Sequence, residues 1–222
     1  MKSYLAPLLG LAQGALAAVQ GFDISGYQGT VDFAGAKASG ARFVIIKATE
    51  GTTFIDKQFS NHYLGATNAG LIRGGYHYAH LDSSSGAAQA NFFIAHGGGW
   101  SADGITLPGM LDLEGDCVLS ASGTVAWIKD FSNTYHAALG VYPLLYTNPS
   151  WWTECTGNSN AFVGTNPLVL AHYASSAGTA PGGWKTYDFW QYNDHYPYGG
   201  DSDVWNGDEA GLKRLASAAP PP

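Results

Sequence analysis

Apolar residues cluster in short runs at 21–24, 42–48, 72–78, 109–113, 142–146, 168–173, 187–192 and 202–205. Each run has the length of a strand and is bounded by turn-forming or polar residues. Alanine-rich segments of helical character separate the early runs, at 31–39, 57–69, 85–95 and 120–139. Strands alternating with helices predict βαβ units and a parallel sheet. Eight such strands predict an α/β fold closed as a modified (β/α) barrel. Barrels of this type usually take about 250 residues, and this chain has 222. Connections in its second half carry weak helical patterns, so fewer or irregular helices are expected there.

Polar and aromatic side chains close nearly every run. They are Asp23, Glu50, His77 with Tyr78, Asp112 with Glu114, Tyr146, His172 with Tyr173, Trp190 with Gln191, and Asp203. Barrel enzymes gather their chemistry at the C-terminal ends of their strands. The predicted result is an acidic pit ringed by aromatic groups. Such a pit suits sugars, whose C–H faces stack on rings while their hydroxyls bond carboxylates.

Within this pattern Asp112-Leu113-Glu114 is the most informative stretch. Side chains alternate along a strand, so the two acids share one face while Leu111 and Leu113 share the other. Their Cβ atoms would lie roughly 6–7 Å apart, from the rise per residue. Carboxyls held so close do not ionise independently, and one becomes an acid usable near neutral pH. Glycosidic bond hydrolysis needs such a pair. On spacing alone, an acidic, solvated strand end is the better reading; the rest of the chain reverses that preference.

The first residues read as a leader. Lys2 supplies a positive start, residues 5–16 an apolar core, and Ala15-Leu16-Ala17 a small-residue cleavage site. A signal peptide is therefore expected over 1–17, a single catalytic domain over 18–215, and a disordered Pro-rich tail over 216–222. The protein is expected to be secreted. The formal charge of −7 becomes −8 without Lys2. With no basic cluster to hold phosphates, neither a nucleic acid nor a membrane is expected as partner. Cys117 and Cys155 are the only cysteines. In a secreted chain they predict one disulfide, pinning the two loops that follow the fourth and fifth runs at the rim of the pit.

Longer motifs surround these acids. Asp23-Ile-Ser-Gly-Tyr-Gln-Gly29 is followed by Gly40, then by Ile45-Ile-Lys-Ala-Thr-Glu-Gly51 and by Phe54 with Asp56. Gly74-Gly-Tyr-His-Tyr78, Asp112-Leu-Glu114, and Trp190-Gln-Tyr192 with Asp203 complete the series. Together they resemble the Chalaropsis-type lysozymes, glycoside hydrolase family 25, over about residues 21–214. The order Ala18-Val-Gln-Gly-Phe-Asp23 resembles a mature start in the fungal branch.

The resemblance implies a modified β/α barrel. It also implies hydrolysis of the β-1,4 bond between N-acetylmuramic acid and N-acetylglucosamine in bacterial cell-wall peptidoglycan. It makes Glu114 the general acid and base and sets Asp112 beside the substrate N-acetyl group. Asp23 and Asp203 complete the carboxylate ring. Glu50 lies inside the signature, where a structural hydrogen bond is as good a reading as a catalytic one. Tyr78, Tyr146 and Trp190 match cleft-lining positions, and core packing is the alternative for each. Carboxyl separations of about 5–5.5 Å for retention and 6.5–9.5 Å for inversion do not decide the outcome from spacing. Chemistry favours retention: a 2-acetamido group is its own nucleophile, and an ionised Asp112 could orient it.

Three rival readings remain. Chitinases that end a strand with Asp-x-Glu carry two earlier acids, where this chain has Leu107 and Met110. A zinc-dependent polysaccharide deacetylase would need ligands at metal spacing, and His77 with His80 is the only close pair; strand alternation turns them apart. A wall-binding lectin would not need four carboxylates. No metal and no cofactor are expected, and the enzyme is expected to be monomeric.

Overall fold

The computed structural model describes residues 18–217. The predicted leader lies outside that span, as does most of the predicted tail. Ala216, placed at the start of that tail, is instead buried beneath the barrel beside Leu212.

Nine strands form one sheet: β1 (Val19–Ile24), β2 (Phe43–Glu50), β3 (Phe54–Ile55), β4 (Ile72–Tyr78), β5 (Met110–Asp112), β6 (Leu144–Thr147), β7 (Leu168–Ala171), β8 (Phe189–Asn193) and β9 (Asp201–Trp205). The order is β1-β9-β8-β7-β6-β5-β4-β2-β3, and β1 also pairs with β2, which closes an eight-stranded barrel. All eight predicted runs are present; the two-residue β3, folded back on the end of β2, was not foreseen. Helices α1 (Phe33–Ala38), α2 (Phe59–Asn68), α3 (Gly86–Ala95) and α4 (Ala121–Leu139) occupy the predicted segments. Ser85 and Ser120 cap the last two, accepting from the backbone N–H groups of Ala88 and Gly123. Only α5 (Pro149–Thr156) and α6 (Glu209–Leu215) follow, and β7 joins β8 through an irregular segment.

One expectation of the parallel sheet fails. Apart from the short β3, which is antiparallel to β2, neighbours from β1 through β8 run parallel, but β9 is antiparallel to both β8 and β1. Residues 194–200 are too few for a crossover returning to the same end, which takes a dozen or more residues. The chain therefore turns at the mouth and descends. Gly200, at φ 76°, makes that turn where its backbone lies against the carbonyl of Asp23.

Strand alternation divides the core. Inward side chains Phe43, Ile45, Met110, Leu144, Val169 and Phe189 fill the lower barrel. Outward ones such as Leu111, Leu113, Leu145, Leu168 and Leu170 meet Phe93 and Phe131 of the helical layer, together with Trp152. A third cluster seats α1 and α2 on β1 and β2 through Phe22, Val44, Ile46 and Ala66. With the lower lumen packed, the polar residues above it form a pit rather than a pore.

Candidate active site

Asp112 is the last residue of β5 and shares its inward parity with Met110. The extended backbone continues past it, since the Leu113 N–H donates to the Tyr146 carbonyl at 3.0 Å. Leu113 accordingly points outward into the helical core, and Glu114 emerges at the mouth, exposed to the cleft. Glu114 stands between two cavities. One, of about 290 Å³, is lined by Tyr146, Asn148, Ser150, His172 and Tyr173. The other, of about 300 Å³, is lined by Tyr78, His80, Asp82 and Asp116. A chain lying across both would pass its linkage over the Glu114 carboxyl.

The electrostatics favour proton storage. Desolvation by the cleft walls raises the pKa of Glu114; Lys47 opposes the rise and Asp201 adds to it. Asp112 is only 7% exposed, and its Oδ1 has no hydrogen-bond partner. Burial, then the charges of Glu114 and Asp23, hold its pKa well above the usual carboxylate range. These shifts oppose the ionised Asp112 expected from sequence. Its ionisation calls for a donor at Oδ1, and a substrate amide N–H is such a donor.

Asp23 lies at the same level on β1. Its pKa is raised to about 7 by burial and by Asp201, against the hydrogen bonds of Gln191 and Asp203. Asp203 does meet Asp23, but not at the rim. In the antiparallel register Asp203 sits opposite Gly21, whereas Asp201 sits opposite Asp23. Asp203 is 2% exposed, and burial, with the neighbouring Asp23 charge, holds its pKa well above the usual carboxylate range beneath Asp23. The carboxylate at the rim is Asp201, which sequence reasoning passed over. The short 194–200 connection was the signal that could have found it, because it forces β9 to run downward.

Gln191 is the second residue missed. It is buried on the lumen side of β8, and its Oε1 accepts from the hydroxyls of Tyr146 (2.9 Å) and Tyr173 (3.0 Å). Its Nε2 is thereby turned toward the acids, donating to Asp23 at 2.7 Å and Asp201 at 3.2 Å. Both tyrosines remain protonated donors, because burial and nearby carboxylates raise their pKa values.

The remaining expected residues divide by parity. Tyr146 is in the pit, and Tyr78 lines the cleft beside Glu114, its pKa pushed up to about 12 by burial and by Glu114. Trp190 is a correction. It precedes inward Gln191 on β8 and so faces out, its Nε1 donating to the His172 carbonyl at 2.8 Å and its ring packed near Tyr187 and Tyr192. It buttresses the loop bearing Tyr173 rather than lining the pit.

Glu50 accepts from Lys47 Nζ at 2.7 Å and His80 Nε2 at 2.8 Å. Burial alone would raise its pKa, but these two partners lower it. That is the structural bond anticipated as an alternative. His77 faces the outer layer, bonded to Thr49 and Gln89, and burial lowers its pKa to about 4. Among the described residues no group of three His, Cys, Asp or Glu side chains is placed to hold a metal ion.

Cys117 and Cys155 form the predicted disulfide. Cys155 lies in the last turn of α5 rather than in a loop, so the bridge ties the chain just past Glu114 to a helix. The first turn of that helix lines the cavity on the far side of Glu114.

A family model described as "Glycosyl hydrolases family 25" matches residues 22–201. The chain is 63% identical over 209 residues to the N,O-diacetylmuramidase of Chalaropsis sp, covering 90% of this chain and 99% of that one. It is 43% identical over 210 residues to Lysozyme M1 of Streptomyces globisporus, covering 90% and 71%. Among solved structures, a muramidase from Trichobolus zukalii superposes with a TM-score of 0.89 at 62% identity, covering 90% and 99%. A family GH25 lysozyme from Aspergillus fumigatus does so at 0.89 and 55% identity, covering 90% and 100%.

Proposed function

The chain belongs to glycosyl hydrolases family 25 and is a lysozyme acting on bacterial peptidoglycan; we propose that it cleaves the β-1,4 muramyl bond with Glu114 as acid and base, retaining configuration. The observation that carries this reading is the relation of the two acids at the end of β5. Glu114 is presented to the cleft between two cavities, and Asp112 lies below it with a buried, unpartnered Oδ1.

Glu114 gives its proton to the glycosidic oxygen as the C1–O bond breaks. The 2-acetamido oxygen of the same sugar bonds to C1 from the opposite face, forming an oxazolinium ion. Asp112 releases its proton to solvent as the amide docks and accepts the amide N–H at Oδ1, which aligns the amide; the carboxylate so formed offsets the positive charge. Water then attacks C1, passes a proton to Glu114 and reopens the ring, so two inversions leave the β configuration. Such substrate assistance is an established exception to the two-carboxylate scheme. Asp23 and, at the rim, Asp201 add to the acidity of the site, with Gln191 spacing the two and Asp203 buried below. Secretion of the mature chain is part of the same reading, supported by the disulfide, which persists in oxidising surroundings.

Two measurements on purified peptidoglycan test it. Mass analysis of reduced ends should find muramic acid; glucosamine ends would reassign the bond. NMR of the first-formed product should show the β anomer. An α anomer would overturn retention, and a sugar ester trapped on Asp112 would replace assistance by a covalent nucleophile.

A further inference from the structure

Beside the acids, at the mouth ends of β1 and β2, lies a wider groove of about 560 Å³. One wall is the turn that follows β1, and it is braced from several sides. Ser25 and Gln28 cap each other across it, and the Gly26 N–H donates to Asp56 Oδ2 at 2.8 Å. His62 Nε2 bonds the Gly29 carbonyl at its far end. This braced turn holds the Tyr27 ring out at 96% exposure, next to the groove. Phe54 of β3, 45% exposed, provides a second apolar face on the same groove.

The charges there are also unusual for an acidic protein. Lys47 and Lys57 both line the groove. Lys47 is bonded to Glu50, and each oxygen of the Asp56 carboxylate accepts one backbone N–H, from Gly26 and from Gln58. Lys57 is exposed and makes no ion pair or side-chain hydrogen bond among the described residues. Lys47 lies 5.0 Å from the centre of the Tyr78 ring, and Tyr78 lines the cavity that contains Glu114. The groove therefore lies next to the cavity beside Glu114, on its Tyr78 side.

We propose that this groove takes the acidic stem peptide of a bound muramic acid residue, with a peptide carboxylate at Lys57 and apolar side chains against Tyr27 and Phe54. The inference rests on the lysozyme reading and deepens it: specificity would extend from the sugars to the peptide hanging from the lactyl group. A carboxylate meeting an ammonium makes a charge-assisted bond, and two exposed rings suit the short alkyl side chains of such a peptide.

The test compares Lys57→Gln and Tyr27→Ala with the wild type on two soluble substrates. One is glycan strands bearing stem peptides; the other is the same strands stripped of peptide by an amidase. Both side chains are exposed, so the variants should fold. On peptide-bearing strands Lys57→Gln should lower kcat/KM about three- to tenfold, mainly through KM, and the loss should shrink in high salt. On stripped strands it should match the wild type. Equal losses on both substrates would make the groove a sugar subsite and overturn the proposal. No loss on either would leave the groove without a part in binding and overturn it too. If the wild type cleaves neither strand, the lysozyme reading itself falls and takes this inference with it.

Discussion

The disulfide offers a prediction whose size follows from the fold. Cys117 lies three residues beyond Glu114, and Cys155 is fully buried in the last turn of α5. The bridge closes a segment with a sequence separation of 38. On the chain-entropy model, releasing a loop of that length costs about 4 kcal/mol of stability. In a domain of this size each kcal/mol corresponds to about 2–4 °C, so Cys117→Ser/Cys155→Ala should melt about 8–16 °C lower by calorimetry. Alanine is used at 155 because a serine hydroxyl buried there would add a cost of its own. Activity should fall as well, even well below both melting points. The bridge holds the Glu114 segment against the helix that lines the facing cavity, and small displacements of a catalytic acid are expensive. A melting shift under about 3 °C would refute the entropic estimate. Unchanged kcat/KM at low temperature would refute the positioning role, and two titratable thiols in denatured, unreduced wild type would remove the bridge altogether.

Glu114→Gln keeps the shape of the acid but not its proton, and should lower kcat by about 10²–10⁴-fold in a turbidity assay while leaving the melting temperature nearly unchanged; near-wild-type clearing of cell walls would reassign the acid. Asp23 has its pKa raised to about 7 from an ordinary 3.8, so between those values the folded protein binds more protons than the unfolded chain. Stability should therefore rise as pH falls from about 7 toward 4, and Asp23→Asn should flatten that slope; a wild type less stable at pH 5 than at pH 7 would contradict it. Exhaustive chelation should leave hydrolysis intact, since His77 is held by Thr49 and Gln89 and His80 by Glu50; loss restored by zinc would refute this.

The chemistry at the end of β5 was legible because it is local. Alternation alone puts Asp112 and Glu114 on one face and Leu111 and Leu113 on the other, whatever the strand pairs with. The eight barrel strands showed as short apolar runs bounded by polar or turn-forming residues, and alanine-rich composition marked the helices at 85–95 and 120–139. Asp23 and Glu114 stood out through strand-end position. Trp190, chosen for its motif and aromatic character, falls on the wrong side for the pit. Counting from Phe189 would have turned Gln191 inward in its place.

What the chain determines by itself, then, is periodicity, caps and the cysteine pair, all set by neighbours within a few residues or by composition. Which carboxylates meet is a property of register and strand direction, set only when the barrel closes. Asp201, not Asp203, reaches the rim because β9 descends antiparallel between β8 and β1. Gln191 becomes the spacer of the acids because Tyr146 and Tyr173, distant in sequence, claim its carbonyl oxygen. The raised pKa values of Asp112 and Asp23 likewise depend on burial and on charges brought in from other strands, and desolvation has no counterpart in the unfolded chain.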